Sequence, residues 1–494
     1  MSAVAISFVV YTVAIGLLGI YSARFSKPTD SDFLLADRGL GPWVAGLSAA
    51  ASAESGWVTL GLVGTAYKTG IGTFWLVPAT GLAFLFNWFV LGPKLRRASV
   101  NQNSLTVVDV IAGRYSAAWA NKIRLVGIAI VLSMLTAYVA AQLNSAGKTF
   151  TGTFEWSYSS GVLVGLGIIL LYTLIGGFRA VSWTDVVQAI FMIAAVTLIP
   201  LLLINRIGGW SVFWEKLNAL EDAGVMTSLF ADKSGWALCG FLALWLGIPL
   251  GNAGQPHSLI RLMAAKDDRA VYRGGLICTF WVMLLFSGAI LTGIAAKVHF
   301  GFLEDPENAM MKIATDGALI HGLLGGLFVA AILAAICSTA DSQLLVSASA
   351  VSHDFLERML GVELSIQKRR IVERVALLLV AIVAAVIALG DVRSVFDFVL
   401  AYGWAGLGAG LGPALIMTLL WPRTTGPAVL VGMIAGVSIA VVWRQFPELN
   451  ATVYNLVPAF FGSLLIITAI SYLTTGETLK HAAAPSKTDV DNPS

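Results

Sequence analysis

The chain has 494 residues, of which 57% are hydrophobic and only 12% charged, and its net charge is +3. Soluble domains carry roughly 25% charged residues, so this composition excludes a soluble globular protein and reads as a polytopic membrane protein. The small, dispersed charge offers no basic stripe for nucleic acid. Three cysteines, Cys239, Cys278 and Cys337, all lie in apolar segments without metal or redox spacing.

Apolar runs of about 17–25 residues, the length that crosses ~30 Å of hydrocarbon, predict thirteen transmembrane helices. They lie near 4–23, 42–65, 71–92, 125–147, 160–178, 185–205, 234–256, 275–296, 318–348, 375–390, 394–420, 425–443 and 453–474. The first run has no basic flank or cleavage site and reads as a full span, not a signal peptide. The expected fold class is therefore an all-α membrane protein.

The second run carries Glu54 among Ala51, Ser52, Ala53, Ser55 and Gly56. A carboxylate at membrane depth costs at least ~2.5 kcal/mol, so it is paired or faces a cavity. Small neighbours let a helix break and bring its backbone close to a ligand. The connection 93–124 contains SLTVVDVIAGRY, which predicts a short amphipathic helix on the cytoplasmic surface. Tyr138 and Gln142, spaced i, i+4, either line the same cavity or join helices. Asp185 opens the sixth run and reads equally as an N-cap or a ligand. Residues 206–233, with Trp210 and Trp214, read as an external loop with interfacial aromatics.

The seventh run is interrupted at Ile248–Gln255 (IPLGNAGQ), where Asn252 and Gln255 offer neutral hydrogen bonds. His257 reads as structural, and the other histidines show no ligand spacing. In the ninth run, Ala335, Ser338 and Ser342 fall within about 60° of one another at 100° per residue, flanked by Thr339 and Asp341. Hydroxyls and a carboxylate on one face suit a hard monovalent cation. The alternative is hydroxyls bonded back to the preceding turn, allowing close helix packing. The tail from Gly476 is polar and reads as disordered.

With the N-terminus outside, 22 of the 31 lysines and arginines fall in inside connections, Arg261 among them. The positive-inside rule then places the N-terminus outside and the C-terminus in the cytoplasm. Residues 42–205 and 234–421 each hold five spans. Two odd-numbered blocks in tandem must have opposite topology, the arithmetic of an inverted repeat whose first helices are broken at the midplane. The remaining parts are an extra N-terminal helix and connection (1–41), the loop 206–233, two C-terminal helices (422–474) and the tail (475–494).

The stretches DRGLGP (37–42), SAAASAESGW, IGGFRAVSWTDVVQA (175–189), GQPHSLIRLMAA (254–265), ILAAICSTADSQLLVSASAVSHD (332–354), AYGWAGLGAGLGP (401–413) and MIAGVSIAVVWRQF (433–446) resemble the sodium:solute symporter family, especially its bacterial sodium/proline branch. The likeness runs from about residue 8 to 472. It implies thirteen spans, a LeuT-type five-plus-five inverted repeat, and no enzyme activity or cofactor beyond the coupling ion. It also implies a sodium site at Ala51, Glu54, Ala335, Ser338 and Thr339, with a second cation at Asp185, Ser338, Asp341 and Ser342. Arg38 would serve coupling. Ser55, Gly56 and Trp57 would lie beside the solute, with Tyr138, Gln142, Ile248, Asn252 and Gln255 as further candidates.

Departures accompany the likeness. The family's aspartate is replaced by Ala53, with a carboxylate one residue on at Glu54, and the aromatic pair before GQPH is replaced by Ile248 and Asn252. The expectation is a sodium-coupled importer of a small polar solute, an amino acid first, in a bacterial inner membrane. The partners are sodium, solute and lipid, and a monomer is compatible with the sequence. Proton coupling, an organic-anion substrate and a transporter-derived sensor remain open.

Overall fold

The computed structural model describes residues 3–25, 29–390 and 394–474. Among these, every regular element is a helix, apart from a single backbone bridge between Leu40 and Ala265. Among the described residues, eleven helices are long and apolar enough to cross a membrane. Two of the thirteen expected spans, 42–65 and 160–178, are not among these eleven. Residues 42–65 divide into Pro42–Ala53 and shorter helical pieces beginning at Trp57. Residues 160–178 form the first limb of one long helix, Tyr158–Ile207, kinked at Gly177. There φ is 59°, and a Cβ would lie 2.8 Å from the Phe33 ring, so the kink needs glycine.

At the centre stands Gly322–Ser349, buried at every residue from Phe328 to Ser349. It packs against Tyr158–Ile207, the N-terminal helix Ala3–Ala23 and the long helix Ala117–Phe154. Large apolar residues such as Val10, Leu17, Leu82, Phe280, Leu379 and Leu465 face outward, as expected where lipid is the solvent. Small residues bring backbones together. A Cβ on Gly408 would stand 2.7 Å from the Gly251 Cα, so the helix Ala405–Leu420 lies almost directly on the second interrupted helix.

Two expectations need correction. The helix in SLTVVDVIAGRY is Val107–Ala112, capped by Thr106, but all six of its residues are buried. It is a wedge between helices and not a surface amphipath, because Asp109 faces inward to a basic cluster. Asp185 lies two turns beyond the Gly177 kink, inside a helix, and caps nothing. The loop 206–233 contains the helices Trp210–Asn218 and Ala223–Met226, with Trp210 and Trp214 exposed. The tail 475–494 lies outside the described residues.

Candidate functional site

Pro42 starts the first half-helix, and the chain leaves it at Glu54 in extended conformation (φ −99°, ψ 130°). An interruption frees carbonyls that a continuous helix would occupy. The freed oxygens meet the central helix. Ser338 Oγ lies 3.0 Å from the Ala51 carbonyl and 3.2 Å from that of Ala335. Thr339 Oγ1 lies 2.5 Å from the Glu54 carbonyl and 3.4 Å from that of Ser52. Ala51, Glu54, Ala335, Ser338 and Thr339 are thus brought together, all fully buried. Uncharged carbonyl and hydroxyl oxygens in this density suit a weakly held alkali cation. Glu54 takes part through its carbonyl only. Its carboxyl oxygens are buried without a hydrogen-bond partner, within electrostatic reach of Cys278.

One turn away is a buried ionic cluster. Asp185 Oδ2 accepts from Ser48 Oγ (2.7 Å), Ser52 Oγ (3.4 Å) and Arg261 Nη2 (2.9 Å). The same guanidinium donates to Ser342 Oγ at 2.6 Å and to Ser48 Oγ at 3.0 Å, and it lies over the Phe178 ring. Ser342 reaches Asp341 Oδ1 at 3.1 Å, while Asp185 Oδ1 and Asp341 Oδ2 have no partner. The structure therefore sets Asp185 and Ser342 on Arg261, a cation the sequence reading had assigned to a cytoplasmic connection, with Asp341 and the Ser338 carbonyl joined to it through the Ser342 hydroxyl. Arg261 is 1% exposed. Its signal was an arginine in register with the apolar face of Pro256–Ala264, which a count of loop charges overlooks.

On the far side of the break, the Gly56 N–H donates to Gln142 Oε1 at 3.0 Å, supplying the acceptor that the interrupted backbone lacks. Tyr138 lies edge-on to His257, with its hydroxyl beside Ser55. Trp57 packs against Phe286, Phe396 and Trp404, with ring centroids 5.6, 5.9 and 6.3 Å away. Trp404 in turn holds the second interruption. Its Nε1–H donates to the Ile248 carbonyl (2.7 Å), and its own carbonyl accepts from Gln255 Nε2 (3.3 Å). Asn252 bonds locally to the Pro249 carbonyl. Ser55, Gly56, Trp57, Tyr138 and Gln142 form one group, and Ile248, Asn252 and Gln255 a second, joined through Trp57 and Trp404.

Two interrupted helices facing each other across a column of aromatic rings, with freed carbonyls met by hydroxyls, is a transporter's arrangement. The family model for the sodium:solute symporter family matches residues 33–436. The chain belongs to this family. The osmoregulated proline transporter OpuE of Bacillus subtilis is 33% identical over 476 residues, covering 95% of this chain and 94% of its own. The sodium/proline symporter of Escherichia coli is 34% identical over 476 residues, covering 94% and 91%. Among solved structures, a Na+-coupled sialic acid symporter superposes with a TM-score of 0.79 at 16% identity, covering 96% of this chain and 98% of that one. The fold is accordingly LeuT-type and the protein a sodium-coupled secondary transporter, not an enzyme.

In this symporter the Leu40–Ala265 bridge ties the chain before the first interrupted helix to the chain after the second. Leu40 N–H donates to the Ala264 carbonyl, and Lys266 N–H to that of Leu40, both at 3.0 Å. Arg38 reinforces the tie. Its guanidinium reaches Ser99 Oγ (2.6 Å) and the carbonyls of Ser104 (2.9 Å) and Met263 (3.3 Å). Beside it Asp109 pairs with Arg124 (2.7 Å) and Arg358 (3.2 Å) and faces His353 (3.4 Å). Burial alone would raise the Asp109 pKa. The hydrogen bonds from His353 and Arg124 and the charge of Arg358 outweigh it and hold the pKa down at about 2. Asp109, His353 and Asp354 could point three ligand atoms at one place, but two guanidiniums already hold Asp109, so the cluster reads as an ionic latch.

Proposed function

We propose that this symporter imports a small amino-acid-type solute with sodium by alternating access, proline being the first candidate. It would sit in the bacterial inner membrane as a monomer, with the N-terminus outside and the C-terminus in the cytoplasm. One observation carries the reading: the carbonyls of Ala51, Glu54 and Ala335 and the hydroxyls of Ser338 and Thr339 occupy one buried spot between an interrupted and a continuous helix. A sodium ion entering there would turn both hydroxyls from donors into ligands and pin the broken helix to the central one. Sodium would then favour the state that binds solute, and linkage requires that solute favour sodium equally.

Proline is supported by the relatives' names and by chemistry. Ile248 and Asn252 stand where an aromatic pair would be expected, but Trp57, Trp404 and Phe286 supply aromatic surface from other helices. Arg38 would report closure of the cytoplasmic end to the sites, since it bonds to both flanks of that seal. At the second cluster, Arg261 is a tethered cation paired with Asp185, Asp341 stands beyond Ser342, and a second monovalent ion would meet the one free oxygen of each carboxyl group.

The test is uptake of radiolabelled L-proline into proteoliposomes. Accumulation is expected only with an inward sodium gradient, and uptake indifferent to sodium would overturn the reading. The orphaned Glu54 carboxyl favours a second reading, proton coupling, which predicts uptake driven by a pH gradient without sodium.

A further inference from the structure

The helix Ile366–Ala388 opens with the sequence IQKRRIVER and carries no charged residue after Arg374. Its 23 residues measure about 35 Å at 1.5 Å per residue, more than the ~30 Å hydrocarbon core, so its charged first turns reach the headgroup layer. Arginines nearby are held by carboxylates, Arg358 by Asp109 and Arg369 by Glu357. Lys368 and Arg370 are exposed, and neither side chain makes an ion pair or hydrogen bond with a described residue. Arg370 acts on the buried Glu373 only through space. Arg374 is engaged by one nitrogen. Its Nε–H donates to the Leu174 carbonyl at 3.2 Å, one turn before the Gly177 kink, where a broken helix leaves carbonyls without intrahelical partners. Both Nη groups of Arg374 stay without described partners.

Arg370 and Arg374 stand four residues apart, so their side chains lie about 40° from each other on one face and repel. Ile371, Val375 and Leu379, which are 61%, 50% and 59% exposed, continue the same outward arc into the span, and Lys368 flanks that arc on its other side. Between residues 360 and 374 the exposed side chains carry three positive charges against one negative, Glu363. Unneutralised guanidiniums at the membrane boundary, beside an apolar stripe, are the complement of a phosphodiester that carries hydrocarbon chains. We propose that the start of this helix seats an anionic phospholipid, its phosphate bridged by Arg370 and Arg374 and an acyl chain lying along Ile371, Val375 and Leu379. Lys368 adds charge from the far side of the arc. Because Arg374 also holds the Leu174 carbonyl, one side chain ties the headgroup to the kinked helix whose second limb carries Asp185. The seat goes beyond the import reading and stands whichever solute is moved.

The experiment titrates the purified, delipidated full chain with dioleoyl phosphatidylglycerol and, separately, dioleoyl phosphatidylcholine, counting bound lipids by native mass spectrometry. One phosphatidylglycerol is expected to bind about tenfold or more tightly than phosphatidylcholine. The Arg370→Gln, Arg374→Gln variant should lose that preference. Arg370→Gln alone, which leaves the Leu174 tie intact, should weaken it roughly threefold or more. Arg370→Lys with Arg374→Lys should keep most of it and controls for folding. Lys94→Gln with Lys122→Gln removes the same charge from exposed positions at the same end of the bundle and should leave the preference intact. Equal binding of the two lipids by the unmodified chain, an unchanged preference in the double glutamine variant, or a comparable loss in the Lys94 and Lys122 control overturns the seat. Soluble glycerol 3-phosphate should not displace the lipid, and displacement would overturn the lipid assignment by showing that the apolar arc takes no part.

Discussion

Thr339 donates its hydroxyl to the Glu54 carbonyl at 2.5 Å, linking the central helix to the one point where the second span loses its helical course. The contact has no role in a continuous helix, since the Glu54 carbonyl would then face the backbone four residues on.

Removing both hydroxyls should abolish sodium dependence. Each hydrogen bond or ligand to a charged partner is worth about 1.5–3 kcal/mol, so Ser338→Ala with Thr339→Ala should weaken apparent sodium affinity by roughly 100-fold or more. Thr339→Ser, which keeps an oxygen, should stay within about tenfold. Uptake rate against sodium concentration reads both.

Arg261 and Asp185 form an ion pair that is 1% and 0% exposed. Breaking such a pair by removing one partner costs about 3–5 kcal/mol, because the other charge is left buried and alone. Arg261→Gln and Asp185→Asn should each lower the thermal unfolding temperature in detergent. The double substitution should cost clearly less than their sum, the signature of direct coupling. An additive result would separate the two residues.

Gly56 has no room for a side chain, since a Cβ would overlap the Ser145 hydroxyl and press on Gln142 Oε1 at 3.4 Å. Gly56→Ala should abolish uptake. Ser145→Gly in the same chain should restore a measurable fraction if the obstruction is local.

The Asp109 latch sets a pH expectation. Its pKa falls from an ordinary value near 3.8 to about 2, so the folded state binds fewer protons than the unfolded one between these values. The stabilisation, on the order of 2 kcal/mol, is complete above pH ~4 and lost as pH falls towards 2. Melting curves between pH 5 and 8 should show no change from this group. Asp109→Asn should lower stability across that whole range.

Glu54→Gln separates the two coupling readings. Sodium-driven uptake should survive it, because the ligand at that position is a main-chain oxygen. Loss of pH-driven uptake in that variant, with sodium-driven uptake absent in the unmodified chain, would favour the proton.

Much of this was legible in residues. Small side chains around Glu54 and IPLGNAGQ marked both interruptions, and the helical spacing of Ala335, Ser338 and Ser342 put one oxygen-bearing face on the central helix. What sequence spacing could not give was direction. It could not tell that Glu54 would turn its carbonyl to the cluster and its carboxyl away. Nor could a tally of loop charges reveal that Arg261 is pulled inward by Asp185, since a lone arginine near a span's end looks the same whether it meets headgroups or a buried carboxylate. Trp404 was visible within AYGWAGLGAGLGP, but its hold on Ile248 and Gln255 is a contact across about 150 positions. Thr106, Asp109 and His353 join elements remote in the chain, and only folding brings them together.

Ala36, Asp37 and Arg38 stand consecutively in the left-handed region, with φ of 49°, 53° and 53°. Each such residue costs roughly 1–2 kcal/mol, so the segment before the first interrupted helix is wound like a spring. The guanidinium of Arg38, clasped by Ser99, Ser104 and Met263, acts as its catch. Relief of that strain would favour any state in which the Arg38 contacts are broken. Glycine at position 36 or 37 would slacken the spring without touching the catch, and every 1.4 kcal/mol removed would shift the equilibrium about tenfold towards the latched state.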